Sequence, residues 1–173
     1  MIKPIVQNPH PALRTQSEKI PVADITSSEI QTIIADMQDS LATQNDGVAL
    51  AAPQIGITKQ IFVVAPFLFD QPEHAPLVYI NPIITNQSKK TKWKHEGCLS
   101  CRWQVGEVDR HLETTITAHD EHGNEFTETA GGLLAHIFQH ETDHLHGILF
   151  IDKARKLREM TAEEIAEVEG DRK

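Results

Sequence analysis

The sequence predicts an α+β fold in which short, mainly antiparallel strands surround a central metal-binding helix, with one helix before it and one after it. Helical periodicity is confined to three segments, and the β-prone runs are grouped between the first two, without the regular alternation of a doubly wound sheet. With 173 residues, 39% of them hydrophobic, the chain is long enough for one core. We therefore expect a single domain over residues 1–173, with an acidic helical tail from about residue 155.

The N-terminal part combines an extended arm with the first helix. Residues 1–24 contain four prolines and are predicted to lie over the domain as an arm. Apolar residues at helical spacing then follow a run of Thr and Ser, which predicts a helix over about 28–44. Asn45 to Gly47 end this helix, and the small residues of 48–53 suit a backbone packed close to a partner.

The middle of the chain is predicted to form strands. The β-prone runs are short, and the last two are joined across Asp120 to Gly123 as a hairpin. Residues 66–76 are expected to form a loop. The predicted strands are 61–65, 77–84, 104–108, 114–119 and 124–129.

Two further helices are predicted in the C-terminal part. Gly131 and Gly132 precede a helix from Leu133 to about residue 146, which Gly147 closes. On this helix residues 134, 138 and 145 form an apolar stripe that should face the core. Thr161 and the glutamate three residues later form a capping-box pattern, which indicates an exposed third helix in the acidic tail.

Composition argues against several classes of protein. The chain carries 16 Lys and Arg against 25 Asp and Glu, a formal charge of −9. This balance argues against direct binding to nucleic acid or membranes, because both depend on basic surface. The N-terminus lacks an apolar signal core, and we expect a cytoplasmic protein. Cys98 and Cys101 lie too close together to staple a secreted domain, which favours a metal-binding or catalytic role.

A metal site is indicated by His140, Glu141 and His144. Histidines four residues apart on a helix share one face, where a single metal ion can bridge them, and Glu141 lies one step around the helix. A carboxylate that is not a ligand can take a proton from water beside such a metal. Catalytic sites usually have three protein ligands and an open position, and Cys98, which follows a glycine, is the expected third ligand.

The segment Gly47–Gln54, with the sequence GVALAAPQ, is the third candidate piece of a site. Its small side chains leave room for a substrate, and the Gln54 amide can donate a hydrogen bond. Taken alone, the same residues fit a tight turn that enters a buried strand.

Two other interpretations of the metal motif compete with a three-ligand hydrolase. In a zinc metallopeptidase, a glutamate from a later helix, Glu163 or Glu164, would complete the HExxH pair, but Cys98 would then have no role. In a structural zinc module, Cys98 and Cys101 would join the two histidines in a closed tetrahedral site, but Glu141 would then have no role.

Taken together and in this order, GVALAAPQ, EGCLS and HETDH resemble the three motifs of the peptide deformylases. The PALR segment of the N-terminal arm and the GLLAHIFQHE approach to the metal helix are also similar to that family. The resemblance implies an α+β fold and a hydrolase that removes the formyl group from the N-terminal formylmethionine of newly made proteins, releasing formate. It implies N-formylmethionyl peptides and nascent chains as substrates and a transient ribosome contact, for which the charge of −9 gives no support.

The resemblance also implies roles for individual residues. The metal ligands carry over to Cys98, His140 and His144, with one divalent ion per chain; Fe²⁺ is the expected ion, and Zn²⁺, Ni²⁺ or Co²⁺ can replace it. Glu141 is the proton carrier, and the Gln54 amide and the backbone N–H of Leu99 hold the formyl oxygen. Glu96 is expected to pair with Arg110 and brace the cysteine loop. Expected substrate contacts are Gly47, Val48, Leu99, Leu133 and His136.

The sequence departs from the family pattern at several positions. Ala49 stands in place of a glycine, which is tolerable unless that position needs a positive φ. After Ser100 the chain continues Cys101-Arg102-Trp103, and Val105 occupies the place of a peptide-binding arginine. We expect Cys101 to line the substrate pocket and Arg102 to be an ordinary solvated side chain. The alternative is that Arg102 substitutes for the peptide-binding arginine.

His136 replaces an aliphatic residue that faces the pocket for the methionine side chain. We expect it to form a hydrogen bond rather than to touch the metal, since three ligands are already assigned. A polar ring in this position favours, as an alternative function, a deformylase-like hydrolase with altered substrate preference.

Overall fold

The computed structural model describes residues 1–70 and 77–170, and this part of the chain contains three α-helices and eight β-strands. The helices are α1 (Ser28–Ala42), α2 (Gly132–Leu145) and α3 (Ala162–Gly170). The strands are β1 (Ala49–Ala51), β2 (Ile61–Val64), β3 (Val78–Gln87), β4 (Thr91–Gly97), β5 (Gln104–His111), β6 (Glu113–His119), β7 (Glu125–Gly131) and β8 (Arg155–Glu159). The predicted α+β class is confirmed.

A five-stranded antiparallel sheet lies between α1 and α2. Its strand order is β1-β2-β3-β6-β7, and β6 and β7 form the predicted hairpin. Because side chains alternate along a strand, β2 serves two cores at once. Ile61 and Val63 pack in the cluster that contains the apolar face of α1, whereas Phe62 and Val64 pack in the cluster that contains Phe138 of α2.

A second sheet of three antiparallel strands, β4-β5-β8, carries the cysteine segment. Its inner side packs through Val108 against Leu13 and Phe150, while every residue of β8 is exposed. The N-terminal arm crosses both parts of the fold: the Val6 N–H donates to the Gln54 carbonyl and the Asn8 N–H to the Ser100 carbonyl. The expected arm is therefore confirmed.

Helix α2 is the element that places the metal motif. Leu134, Phe138 and Leu145 pack in the core with the five-stranded sheet, as predicted, so the histidines lie on another face of the helix. The helix ends before Gly147, whose φ of +73° favours glycine and where an added Cβ would lie 2.9 Å from the backbone of Arg14.

Three strands were not predicted, and the tail differs from expectation. β1 is three residues long, and β4 and β8 are mostly polar. Residues 155–159 are the strand β8, so the acidic helix begins at Ala162 rather than near 155. Within the predicted loop, Pro66–Leu68 form a 3₁₀ turn, and 71–76 lie outside the described residues. No helix in the described ranges is both long and apolar enough for a membrane span.

Candidate active site

Cys98, His140 and His144 come together beside the cysteine loop. Cys98 directly follows β4, and the two histidines lie one turn apart on α2 with ring centroids 4.8 Å apart. The ligand atoms of the three residues all lie within 4.8 Å of one another, and Cys98 Sγ is 3.2 Å from His144 Nε2. The fold thus brings together the three residues predicted as ligands, although Cys98 and His144 are 46 positions apart in sequence.

Glu96, near the end of β4, is hydrogen-bonded to His140 and to two further side chains. Its carboxylate accepts hydrogen bonds from Arg110 Nε and Nη2 at 3.0 and 2.7 Å, which confirms the predicted pair. It also lies 2.5 Å from His140 Nδ1 and 2.5 Å from His136 Nε2. Burial acts to raise the pKa of Glu96, but hydrogen bonds from the two histidines and Arg110 outweigh it and hold this pKa well below its usual range. Because Nδ1 of His140 is hydrogen-bonded to Glu96, Nε2 is the ring nitrogen that can bind a metal ion.

Glu141 directly follows His140 on α2, and it is buried, with only 4% of its surface exposed. Its Oε2 atom has no hydrogen-bond partner within the described residues. Burial raises the pKa of Glu141 to about 7, against the opposing effect of the neighbouring His140. A carboxyl group with a pKa close to neutrality can both accept and return a proton, which suits a general acid and base.

Gln54 and Leu99 are the two residues predicted to donate hydrogen bonds to the substrate. Gln54 is buried, its Oε1 accepts from the Ala51 N–H at 2.8 Å, and its Nε2 lies 3.6 Å from Cys98 Sγ. Accepting from Ala51 fixes the amide orientation, so Nε2 must point towards the cysteine. Across the described ranges, the Leu99 N–H donates to no other protein group.

A cavity of about 310 Å³ joins these groups. All five predicted substrate contacts line it: Gly47, Val48, Leu99, Leu133 and His136. The hydrogen bond predicted for His136 is confirmed by its contact with Glu96. Ala49 also lines the cavity and lies in β1 with an extended backbone, so the methyl group is tolerated without a positive φ. Sequence reasoning missed seven lining residues, for which no local motif gave a signal: Asp46, His95, Trp103, Gln104, Ile137, Met160 and Val168.

Two predictions for the segment after Ser100 are wrong. Cys101 does not line the cavity but is buried with Leu13, Val108 and Phe150 in a separate core cluster. Arg102 is not an ordinary solvated side chain, since the side chain is 19% exposed and its guanidinium forms an ion pair with Asp46 at the cavity wall.

The two rival metal sites are not assembled in the part of the chain that the structure describes. Cys101 is not among the residues whose ligand atoms cluster with the histidines, so the closed site with two thiolates lacks its fourth ligand. Glu164 forms an ion pair with Arg158 and caps α3 at Thr161, and neither Glu163 nor Glu164 belongs to the cluster.

The donor set fits a divalent transition-metal ion. One thiolate and two imidazoles suit Zn²⁺, Fe²⁺ and related ions, and three protein ligands leave a position for a reactant. Contact with the Cys101 thiol and burial raise the pKa of the Cys98 thiol, whereas a coordinated divalent cation deprotonates a thiol outright. Glu141 Oε2, buried without a partner in the described ranges, is the kind of atom that a ligand in this cluster would satisfy.

Comparisons with known proteins show the family of the chain. The sequence model of the polypeptide deformylase family matches residues 2–160. The chain is 40% identical over 159 residues to peptide deformylase 2 of Clostridium perfringens, covering 92% of this chain and 97% of that protein. It is 38% identical over 155 residues to peptide deformylase of Xylella fastidiosa strain M12, covering 90% of this chain and 88% of that protein.

Solved structures of deformylases share the fold. A class I type b peptide deformylase from Acinetobacter baumannii superposes with a TM-score of 0.80 at 29% identity, covering 88% of this chain and 99% of that chain. The peptide deformylase from Thermotoga maritima superposes with a TM-score of 0.78 at 30% identity, covering 90% of this chain and 99% of that chain.

Proposed function

Because the chain belongs to the polypeptide deformylase family, we propose that it uses Cys98, His140 and His144 to hold its metal ion and Glu141 to move the proton. The protein is a metal-dependent hydrolase that removes the N-terminal formyl group from N-formylmethionyl peptides and releases formate. The observation that carries the assignment of roles is Glu141, a buried carboxyl group beside the three ligand residues.

The metal ion supplies Lewis-acid chemistry, which lowers the pKa of water and polarises a carbonyl group. We propose Fe²⁺ as the native ion, one per chain, with Zn²⁺, Ni²⁺ or Co²⁺ able to replace it, since a thiolate and two imidazoles accept each of these ions. Glu96 supports this centre by fixing the ring of His140.

Glu141 performs both proton transfers of the hydrolysis. It accepts a proton from the water whose oxygen forms a bond to the formyl carbon. It then returns that proton to the peptide nitrogen as the carbon–nitrogen bond breaks, so the products are formate and a free amine. Burial raises the pKa of Glu141, which favours a carboxyl group that can hold the proton before returning it.

Gln54 and Leu99 stabilise the negative charge that develops on the formyl oxygen. Both residues line the cavity, and Gln54 Nε2 lies 3.6 Å from Cys98 Sγ. Preorganised donors of this kind need no rearrangement during the reaction, and each is worth about 10²–10³ in rate.

The cavity walls bind the peptide through Gly47, Val48, Leu99, Leu133 and His136. Leu133 is 52% exposed and offers apolar surface at the cavity. The second candidate function, a deformylase-like hydrolase with altered substrate preference, is favoured by His136, because an imidazole bonded to Glu96 lines the cavity at this position.

We propose that nascent chains in the cytoplasm are the physiological substrates and that contact with the ribosome is transient. The formal charge of −9 supports the absence of direct nucleic-acid or membrane binding. The family match over residues 2–160 supports one catalytic domain, with the acidic tail as its C-terminal part.

The test is formate release from formyl-Met-Ala-Ser by anaerobically purified protein loaded with Fe²⁺ or Ni²⁺. We expect rapid release by the parent and loss of release in the Cys98→Ala variant, because removal of the thiolate leaves only two protein ligands. No release by the folded, metal-loaded parent would contradict the proposed function.

A further inference from the structure

Arg102 and Asp46 join the two walls of the substrate cavity. Arg102 lies in the turn that follows the cysteine segment, and Asp46 lies in the turn that follows α1. The guanidinium contacts both carboxylate oxygens of Asp46, with Nη2 to Oδ1 at 3.0 Å, and Nη2 also donates to Gln44 Oε1 at 3.1 Å. Both side chains are mostly shielded, at 19% and 30% exposure, and both residues line the cavity.

Each end of this bridge is attached to groups that face the substrate. Leu99, whose N–H points to the formyl oxygen in the proposed reaction, lies three residues before Arg102. Gly47 directly follows Asp46, and an added Cβ there would lie 2.8 Å from Gln44 Cβ and 2.9 Å from a methyl carbon of Leu41. The Asp46 wall is therefore packed tightly on the end of α1 and has little room to adjust on its own.

The cysteine loop is held on its other side by the N-terminal arm. Gln7 Nε2 donates to the Leu99 carbonyl at 2.8 Å, and Gln7 Oε1 accepts from the Arg102 N–H at 3.2 Å. The Arg102 guanidinium also lies 5.2 Å from the centre of the Trp103 ring. With the arm on one side, the contacts of Arg102 with Asp46 and Gln44 link the loop to the opposite wall.

We propose that Arg102 and Asp46 are a positioning pair that holds the two walls at the spacing needed to bind the peptide beyond its formylated residue. The pair acts through the walls, so it affects binding of the peptide chain more than the hydrolytic step at Glu141. This inference rests on the proposed function for the identity of the peptide, but the bridge itself is a feature of this chain's own residues.

The experiment compares Arg102→Asp, Asp46→Arg and the double variant with exchanged charges. Affinity for the product peptide Met-Ala-Ser is measured by calorimetry on nickel-loaded protein, and KM and kcat are measured with formyl-Met-Ala-Ser. Each single variant should weaken binding and raise KM by about 10-fold. The kcat should change by less than about 3-fold, because Gln7 still holds the Leu99 carbonyl and only the wall beyond it is displaced. The exchanged pair should return to within about 3-fold of the parent.

Lys59→Glu serves as the matched control, since Lys59 forms an exposed ion pair with Glu18 and neither residue lines the cavity. It should leave the affinity for Met-Ala-Ser unchanged. The proposal would be overturned by single variants that bind Met-Ala-Ser as tightly as the parent. It would also be overturned if the double variant did not regain affinity, or if the folded parent did not bind this peptide. Charge-dependent binding of Met-Ala-Ser without formate release would instead contradict the proposed function and support the bridge.

Discussion

Replacing Glu96 by alanine removes a carboxylate that is engaged by Arg110, His136 and His140 at once. The side chains of Glu96 and Arg110 are 3% and 4% exposed, so solvent cannot replace the lost partner. Within residues 1–70 and 77–170, the ion pair with Asp143 is the one that Arg110 keeps. Removing one member of a buried ion pair costs about 3–5 kcal/mol, and we expect a loss near the lower end, about 3 kcal/mol, because Asp143 remains.

The expected loss is measurable by thermal and urea unfolding followed through tryptophan fluorescence. For a chain of this size about 3 kcal/mol lowers Tm by roughly 6–12 °C. Metal affinity should fall by about 10–100-fold as well, because His140 loses the acceptor that orients its ring. Glu107→Ala is the matched control: Glu107 also pairs with two cations, Arg155 and Lys156, but at an exposed face, so its loss should change Tm little. A Tm for Glu96→Ala within about 2 °C of the parent would refute the reasoning.

The Glu96 carboxylate also makes the stability of the folded protein depend on pH in the acid range. Its pKa is lower in the folded protein than in the unfolded chain, so folding is favoured whenever Glu96 is ionised in both states. This contribution is fully present above the unfolded value of about 4.5 and is lost as the pH falls below it. Urea unfolding of the metal-free parent between pH 7 and pH 3 should therefore show a steeper loss of stability below pH 4.5 than the same titration of Glu96→Ala.

Three further changes test other parts of the account. Gln54→Ala should lower kcat for formyl-Met-Ala-Ser by about 10²–10³ with a smaller change in KM, and an unchanged kcat would exclude Gln54 as a donor to the developing charge. Cys101→Ala should keep one metal ion per chain by elemental analysis whereas Cys98→Ala should lose it, and the opposite pattern would favour the closed zinc site. Gly47→Ala should destabilise the fold by about 1–3 kcal/mol in urea unfolding, since its Cβ would meet Leu41 and Gln44 within 3 Å; unchanged stability would show that the turn relaxes freely.

Elements with strong periodic patterns were predicted well from sequence. Helices α1 and α2 are confirmed to within two residues at each end, because apolar stripes and end signals define them locally. Strands β4 and β8 were missed, because their sequences TKWKHEG and RKLRE show little alternation of apolar and polar residues. They form because β5 lies between them and supplies the partner, which is information outside either segment.

The candidate site shows the same division between local and distant information. Cys98, His140 and His144 could be selected from short motifs, since the chemistry of the ligands constrains residue type and spacing. The ion pair of Arg102 could not be predicted, because its partner Asp46 lies 56 residues earlier and no motif links the two residues. Val168 could not be predicted as a cavity residue either. It belongs to α3, and no motif in the tail indicates that this helix lies beside the cavity.

The most direct test of the central claim is the turnover of Glu141→Ala at fixed metal content. The variant should retain one metal ion per chain, because Glu141 is not a ligand in the proposed site, and its kcat for formyl-Met-Ala-Ser should fall by about 10²–10⁴, the usual contribution of a general acid and base. A fully metal-loaded Glu141→Ala variant that releases formate at the parent rate would contradict the account.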